Sequence, residues 1–394
     1  MAESYYNAAS GNWSTAANWK GGTNGDGTLP TSADDVFANG KAVVIDQSIS
    51  VNSLRTTAGT TAVAGGSFTV STGGLTLTVN SQIISGSSAC LTFSAASPNV
   101  LTITGSGLTV NGSATTTSRP GITNSSTGTV NVTGNVVGGT TSQSHGISNT
   151  STGSVNVTGN VTGSTGQGLA SSTSQAGTLS VTGSVTTTGT ANGFYVGPSS
   201  ATVTGSVTGG SSTAVAALIV STGSCTITQN VTGGTGVQSY GAQCGGVGSL
   251  TIQGNVTGGS NSTAYGAYNS STGTLTIEGS VTGGTVSGSA IGAFNNSTGK
   301  LLCNGAVNAS ATSPAIGDNA SNAGFVRVTG PITNSTGINA IAAAHLCLVA
   351  ECDWTIAKAG TPPAYNGTVT IGLKSGGSGG GGRILRSSII GAIS

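Results

Sequence analysis

Carboxylates are scarce in this 394-residue chain, and their spacing is wrong for the chemistry they usually perform. The nine are Glu3, Asp26, Asp34, Asp35, Asp46, Glu278, Asp318, Glu351 and Asp353. Glycoside hydrolysis ordinarily needs two carboxyl groups about 5–10 Å apart, one to protonate the leaving oxygen and one to attack or to activate water. None lies between Asp46 and Glu278. Asp34 and Asp35 are adjacent, so on a strand they face opposite ways, which suits a cap or turn better than a catalytic pair. Glu278 and Asp318 read as lone solvated charges. A polysaccharide lyase needs a base beside neutralising groups or calcium, yet Arg119 is the only Lys or Arg between Arg55 and Lys300. His145 and His345 have no Cys, Asp or His companion at metal-ligand spacing. A Ser-His-Asp set is assembled in space rather than in sequence, but two His and few Asp leave little to build it from. The chain is therefore expected to be no enzyme and to use no metal or cofactor.

Two other residue classes could carry chemistry. The six cysteines, Cys90, Cys225, Cys244, Cys303, Cys347 and Cys352, form neither a zinc ribbon nor a CxxC pair. Several stand where neighbouring copies of a repeat carry Val, Leu or Ile, so buried free thiols are expected, with a Cys347–Cys352 bridge as the alternative. Aromatic residues make up only 4% of the chain, yet Tyr195, Tyr268 and Phe294 share one repeat position. It lies two residues after a recurring Gly. Alternation turns it outward while Phe194, Ala267 and Ala293 face in. Outward aromatics on stacked coils suit a subunit interface, contact with a sugar face, or incidental surface.

The elements that must position these residues come from the repeat. "GTVNVTGNVVGG" begins at Gly128, and nine copies start at Gly128, Gly153, Gly177, Ser199, Gly223, Gly248, Gly273, Gly299 and Gly324. The steps run from 22 to 26 residues, and a weaker tenth copy starts at His345. Each copy has apolar residues at two alternate positions and a third four residues later, as in Val130, Val132 and Val136. Period two marks a strand with one buried face. A Gly between the second and third, such as Gly134, Gly159, Gly183, Gly254 or Gly279, lets the backbone turn a corner. "HGISNTSTG" and "YGAYNSSTG" supply a third strand. In it Asn124, Asn149, Asn269 and Asn295 hold one place, and a ladder of amides between coils is expected. A propeller blade needs about 40 residues, and the Leu/Asn pattern of a leucine-rich repeat is missing. The fold class is therefore all-β, a parallel β-helix of about 25 residues and three short strands per coil.

Composition agrees. Only 5% of residues are charged, against roughly 25% in ordinary soluble proteins. The 68 glycines and abundant Ser, Thr and Asn point to a hydroxyl- and amide-rich surface. A net charge of +1 offers no field for nucleic acid. The opening residues show no signal-peptide pattern, and no run approaches the ~18–20 apolar residues of a membrane helix, so no membrane insertion is expected. Residues 1–57, with Trp13 and Trp19, read as an N-terminal cap and first strands; 58–120 as irregular coils; 121–353 as regular coils. Residues 354–374, with Pro362 and Pro363, read as a C-terminal cap or arm, and 375–382 as a Gly/Ser linker. Residues 383–394 read as a short apolar tail that docks on a neighbouring chain through Arg383, Ile384, Leu385, Arg386, Ile389 and Ile390, with a disordered end as the alternative.

The stretch "NWSTAANW", then Pro30 and "DDVFANGKAVVID", resembles the opening of many β-helical surface proteins. Among these are passenger domains of bacterial autotransporters and β-helical fibre and decoration proteins of tailed bacteriophages. The Gly-rich linker before a short Arg-containing end is more similar to the phage group. The resemblance covers residues 10–57 and the tail. It implies a homotrimeric structural protein on the virion surface that contacts other virion proteins and host surface polysaccharide. It brings no catalytic residue with it. The alternatives are a bacterial cell-surface adhesin and a tailspike glycan hydrolase or lyase with a site between subunits.

Overall fold

The computed structural model describes residues 1–116, 118–171, 177–189, 194–211, 217–219, 222–236, 239–260, 264–285, 290–308, 315–318, 325–330, 332–333, 345–349 and 369–372. Among the described residues the chain is all β, with a single short 3-10 turn at Ala16–Asn18 and no α-helix. It is a parallel β-solenoid of about 25 residues per turn. Two compact units divide it, Met1–Ser211 with Ser221–Cys225, and Ser212–Val220 with Thr226–Ser394.

In the first unit a typical coil runs through Ser154–Thr158, Val161–Gly163 and Leu169–Ser171. The first two strands join one sheet and the third joins another. Strands alternate β-branched residues with Ser, Thr or Asn, a composition that fits a pleated surface buried on one side. The buried residues stack in register from coil to coil. Val130, Val155, Leu179 and Ala201 form one column, Val132, Val157, Val181 and Val203 a second, and Val136, Val161, Val185 and Val207 a third. Burying each Val or Leu side chain contributes about 1.5–3 kcal/mol. The irregular stretch 58–120 obeys the same rule with longer strands. Leu75–Ile84 and Val100–Asn111 pair in parallel, with a register shift between Thr104 and Thr109.

The second unit repeats the plan with larger side chains. Leu250, Leu275, Leu301 and Val326 stack, as do Ile252, Ile277, Cys303 and Val328, and Val256, Val281 and Val307. The tenth copy is a strand as expected, since His345–Val349 pairs in parallel with Phe325–Val328. Val369–Gly372 adds in parallel to His345–Val349 in turn, so stacking continues into the segment read as a non-repeat cap or arm.

The corner glycines have two physical reasons. Gly134, Gly159 and Gly183 have φ of 159°, 149° and 152°, which other residues rarely adopt. A methyl group at Gly159 would also run into the carbonyl oxygen of Gly134 in the coil below.

The expected amide ladder is not what the Asn column builds. Asn124, Asn149, Asn269 and Asn295 are fully buried and in register where paired. Their amides donate instead to a carbonyl four residues on: Asn149 to Gly153 at 2.8 Å, and Asn124, Asn269 and Asn295 to Gly128, Gly273 and Gly299 at 3.2 Å. Asn124 and Asn269 also reach main-chain carbonyls of the next coil, Ser154 at 3.3 Å and Lys300 at 3.2 Å. The side chain points into the corner, where the turn's own carbonyl is nearer than the next amide. Other asparagines also bond between coils: Asn156 Nδ2 donates to Asn131 Oδ1 at 2.8 Å, and asparagines at the corner accept from the backbone of the next coil. Asn135 Oδ1 accepts from Asn160 N at 3.1 Å, and Asn160 Oδ1 from Ser184 N at 3.0 Å. In the second unit Asn230 Oδ1 accepts from Asn255 N at 2.9 Å, and Asn255 Oδ1 from Ser280 N at 2.8 Å.

The N-terminal segment is both coil and cap. Asp34–Phe37 and Ile49–Arg55 are coil strands, paired in parallel with each other and, for the latter, with Leu75–Ile84. Trp13, Trp19 and Tyr6 are buried together, with ring centroids 4.6 Å apart for Trp13–Trp19 and 5.0 Å for Tyr6–Trp19. Trp19 Nε1 donates to the Trp13 carbonyl at 3.0 Å, which satisfies the indole inside this core.

Candidate functional site

The third strand of the second unit carries an aromatic band. Ala267–Asn269 and Ala293–Asn295 pair in register, placing Tyr268 beside Phe294 on the outer face and Ala267 beside Ala293 inside. Both outward residues were expected there, and both are half-buried. Tyr195 lies opposite Ala170 in the backbone register, but its side chain is outside the described residues. Two further rings complete the band, Tyr240 and Tyr265. Each precedes the Gly that opens a third strand, so neither belongs to the strand alternation. The "YG" pair recurring 25 residues apart, at Tyr240-Gly241 and Tyr265-Gly266, is the signal that would have found them.

The rings are packed against one another. Tyr240 and Tyr265 stack at 5.1 Å and 5°, and Tyr268 and Phe294 at 5.9 Å and 11°. Tilted contacts join the two columns, Tyr240–Tyr268 at 4.6 Å, Tyr265–Tyr268 at 5.4 Å and Tyr265–Phe294 at 5.1 Å. Such pairs are worth about 0.5–1.5 kcal/mol each beyond area burial. Asn296 Nδ2 donates to the Tyr268 hydroxyl at 2.9 Å, and Gln243 Nε2 to Ser270 Oγ at 3.1 Å. Burial, and then the neighbouring Tyr268 and Tyr265, push the Tyr240 phenol up to about 12; Tyr265 is raised by the same causes, burial and then Tyr268. Tyr240 and Tyr265 therefore keep their protons at neutral pH. A sugar stacks on the face of a ring, and here those faces are largely turned to other rings.

The carboxylates are engaged in holding coils. Glu3 accepts from three successive backbone N–H groups, those of Thr60, Thr61 and Ala62, at 2.7, 2.9 and 2.6 Å. Asp34 is buried and accepts from the N–H and hydroxyl of both Thr23 and Thr31 at 2.6–2.9 Å. Burial alone pushes its carboxyl up, but these four bonds outweigh it and leave it below the usual Asp range. Asp35 is likewise pushed up by burial and pulled lower by Ser53, Asn52 and Arg55. Asp26 is lowered by the Gly21 N–H and by Lys20, and Asp46 accepts from Ser14. The adjacent pair Asp34 and Asp35 thus faces two different hydrogen-bond networks. Glu278 is exposed and accepts from Asn304 Nδ2 at 2.6 Å, and Asn304 Oδ1 accepts from Arg327 at 3.1 Å. The next acid, Asp318, ends a third strand, on the other sheet from the strand that precedes Glu278.

His145 is half-buried and neutral. Gln167 N donates to its Nδ1 at 3.3 Å, and burial pushes its pKa down to about 4. Cys90, Cys225, Cys244 and Cys303 are buried free thiols, as their repeat positions predicted. Burial raises all four, Cys225 and Cys303 to about 12. Thiols so shifted are poor nucleophiles. Among the described residues no group of three His, Cys, Asp or Glu is placed to hold a metal ion, and no helix is long and apolar enough to cross a membrane. Cys352, Glu351, Asp353 and the tail residues Arg383, Ile384, Leu385, Arg386, Ile389 and Ile390 lie outside the described residues.

By fold this is a parallel β-solenoid with an aromatic band on its third-strand face. The chain matches no protein-family model, no curated protein and no solved structure.

Proposed function

We propose that this chain is a non-enzymatic structural protein of a bacteriophage virion, a surface fibre or decoration protein that works as a homotrimer. The observation that carries the non-enzymatic reading is the use made of the carboxylates. Glu3, Asp26, Asp34, Asp35 and Asp46 tie neighbouring segments of the N-terminal coils together, and Glu278 heads a line of polar contacts across three coils. The virion placement rests on the resemblance of residues 10–57 and of the tail to phage appendage proteins. The aromatic band supports assembly more than glycan capture. Rings packed on one another and left half-buried suit contact with another subunit, where aromatic residues are enriched. Contacts with host polysaccharide would then fall to the hydroxyl- and amide-bearing columns and would be weak individually.

The test is a gold-labelled antibody against the chain, applied to particles and to cells pelleted separately from the source culture. Label on the surface of tailed particles is the expected result. Label confined to the cell envelope would overturn the virion placement in favour of an adhesin. Release of reducing ends from bacterial surface polysaccharide by the purified chain, abolished by Glu278→Gln, would overturn the non-enzymatic reading.

A further inference from the structure

At the N-terminal end of the first unit, Ala2–Tyr6 pairs with Trp19–Gly21, with Ser4 opposite Gly21, Tyr5 opposite Lys20 and Tyr6 opposite Trp19. This pairing is antiparallel, whereas the other registered pairings among the described residues are parallel. On its other side Ala2–Tyr6 pairs in parallel with Asp34–Phe37. Trp19–Gly21 is therefore the outermost strand described, and it covers backbone groups of Ala2–Tyr6 that would otherwise form an open sheet edge.

The chain that makes this cover, residues 19–33, is a strap. Trp19 is fully buried and anchors one end. From Lys20 to Ala33 no residue is buried, so the rest of the strap adds nothing to the core. Polar bonds hold it instead. Gly22 N donates to the Glu3 carbonyl at 2.7 Å. Thr23 and Thr31, eight positions apart in the strap, both close on the carboxylate of Asp34. One buried carboxylate thus fastens the strap at two points. The charged groups around it are Asp35, paired with Arg55 at 3.5 Å and also under the field of the amino terminus, Lys20 with Asp26 at 3.1 Å, and Glu3, held by the N–H groups of Thr60, Thr61 and Ala62.

The geometry points to a covered assembly edge: with the strap lifted, Ala2–Tyr6 pairs antiparallel with the same strand of a second copy, head to head about a two-fold axis. The strap shows that this edge accepts an antiparallel strand. Two copies of one strand related by a two-fold axis at the sheet edge run antiparallel by symmetry. The second copy's strand then takes the place that Trp19–Gly21 holds within the chain, a case of strand addition. Ser4 is central in the five-residue strand and falls near the axis. The contact is isologous, so it closes on itself and doubles the particle rather than growing a filament. Asp34 is the latch. Its carboxyl stays below the usual Asp range, so the latch holds at neutral pH and gives way only as the pH falls through that depressed value.

The experiment is sedimentation equilibrium of the full chain and of Asp34→Ala at neutral pH, with hydrogen exchange of the amides in residues 20–33 read in parallel. The variant is expected to exchange freely across the strap and to double the wild-type mass, whatever that mass is. Wild type should double likewise below the ordinary carboxylate range. Because Asp34→Ala could disturb folding, the paired variant Thr23→Val with Thr31→Val loosens the strap from the other side. Because the incoming strand takes the place of Trp19–Gly21, Trp19 leaves the cap core when the strap lifts, so a red-shifted tryptophan emission is expected to accompany doubling. Far-UV circular dichroism reports whether either variant keeps its coils. Adding Ser4→Cys to the loosened chain should give a disulfide-linked pair on oxidation. A strap that exchanges freely while the mass stays at the wild-type value would overturn the assembly edge, and a strap that stays protected in both variants would overturn the latch.

Discussion

Replacing Leu275 by alanine probes the column logic of the second unit. Leu275 is fully buried and stands in register between Leu250 and Leu301. Leu→Ala in a core costs about 2–5 kcal/mol, more where the site cannot collapse. Here it collapses poorly, because main-chain bonds to both neighbours hold the coils at about 4.8 Å. The expected cost is about 3–4 kcal/mol, in the upper part of that range. Every 1.4 kcal/mol is a factor of ten in an equilibrium constant, so opening of these coils should become about 100-fold more frequent or more. Because solenoid stability is a sum of nearest-neighbour terms, the loss should be local. Hydrogen exchange by mass spectrometry separates the cases. The amides of Glu278 and Asn304, which donate to Ile252 and Ile277 of the preceding coils at 2.8 Å, should lose protection. Those of Ile49–Arg55 in the first unit should not change. A cost below about 1 kcal/mol, or equal loss in both units, would refute the reasoning.

Further predictions concern single groups. Gly159→Ala combines strain at φ 149° with a clash against the Gly134 carbonyl, and should cost clearly more in urea unfolding than Gly25→Ala, where φ is 80° but no atom lies within 4 Å. The latter should cost about 1 kcal/mol from backbone strain alone. His145 is neutral in the fold down to about pH 4, whereas the unfolded chain takes up the proton near 6.5. Unfolding therefore binds a proton in that window, and stability should fall as the pH drops from 6.5 towards 4. His145→Gln should flatten that part of the denaturation profile. Cys90, Cys225, Cys244 and Cys303 should resist an aromatic disulfide reagent in the folded chain and react on unfolding; fast labelling of any of them in the fold would contradict their burial.

The core was legible because it depends on period and residue size alone. Val130, Val132 and Val136 announce two strands and a corner, and the next copy must offer matching side chains to stack on them. Gly134 and Gly159 were legible for the same reason, since a corner that passes close to the coil below admits no side chain. The asparagines were not. Asn149 and Asn160 look alike in the repeat, and each could donate or accept along the stack. Which bonds each makes depends on the direction its side chain takes: Asn149 turns inward to the Gly153 carbonyl, Asn124 reaches both its own corner and Ser154 of the next coil, and Asn160 stays outside and accepts from Ser184. The aromatic band was half legible. Tyr268 and Phe294 follow from strand alternation, whereas Tyr240 and Tyr265 sit before the strand, where alternation says nothing about direction. The contacts of Asp34 were hidden as well, because Thr23 and Thr31, eight positions apart, meet it only in the folded chain.

The mass of the intact chain in solution tests the central proposal most directly. Sedimentation equilibrium at neutral pH should give three times the chain mass of 37.5 kDa, stable on dilution, as the fibre or decoration reading requires. A 37.5 kDa monomer across the micromolar range would contradict it and leave a single solenoid without the subunit contacts assigned to its aromatic band.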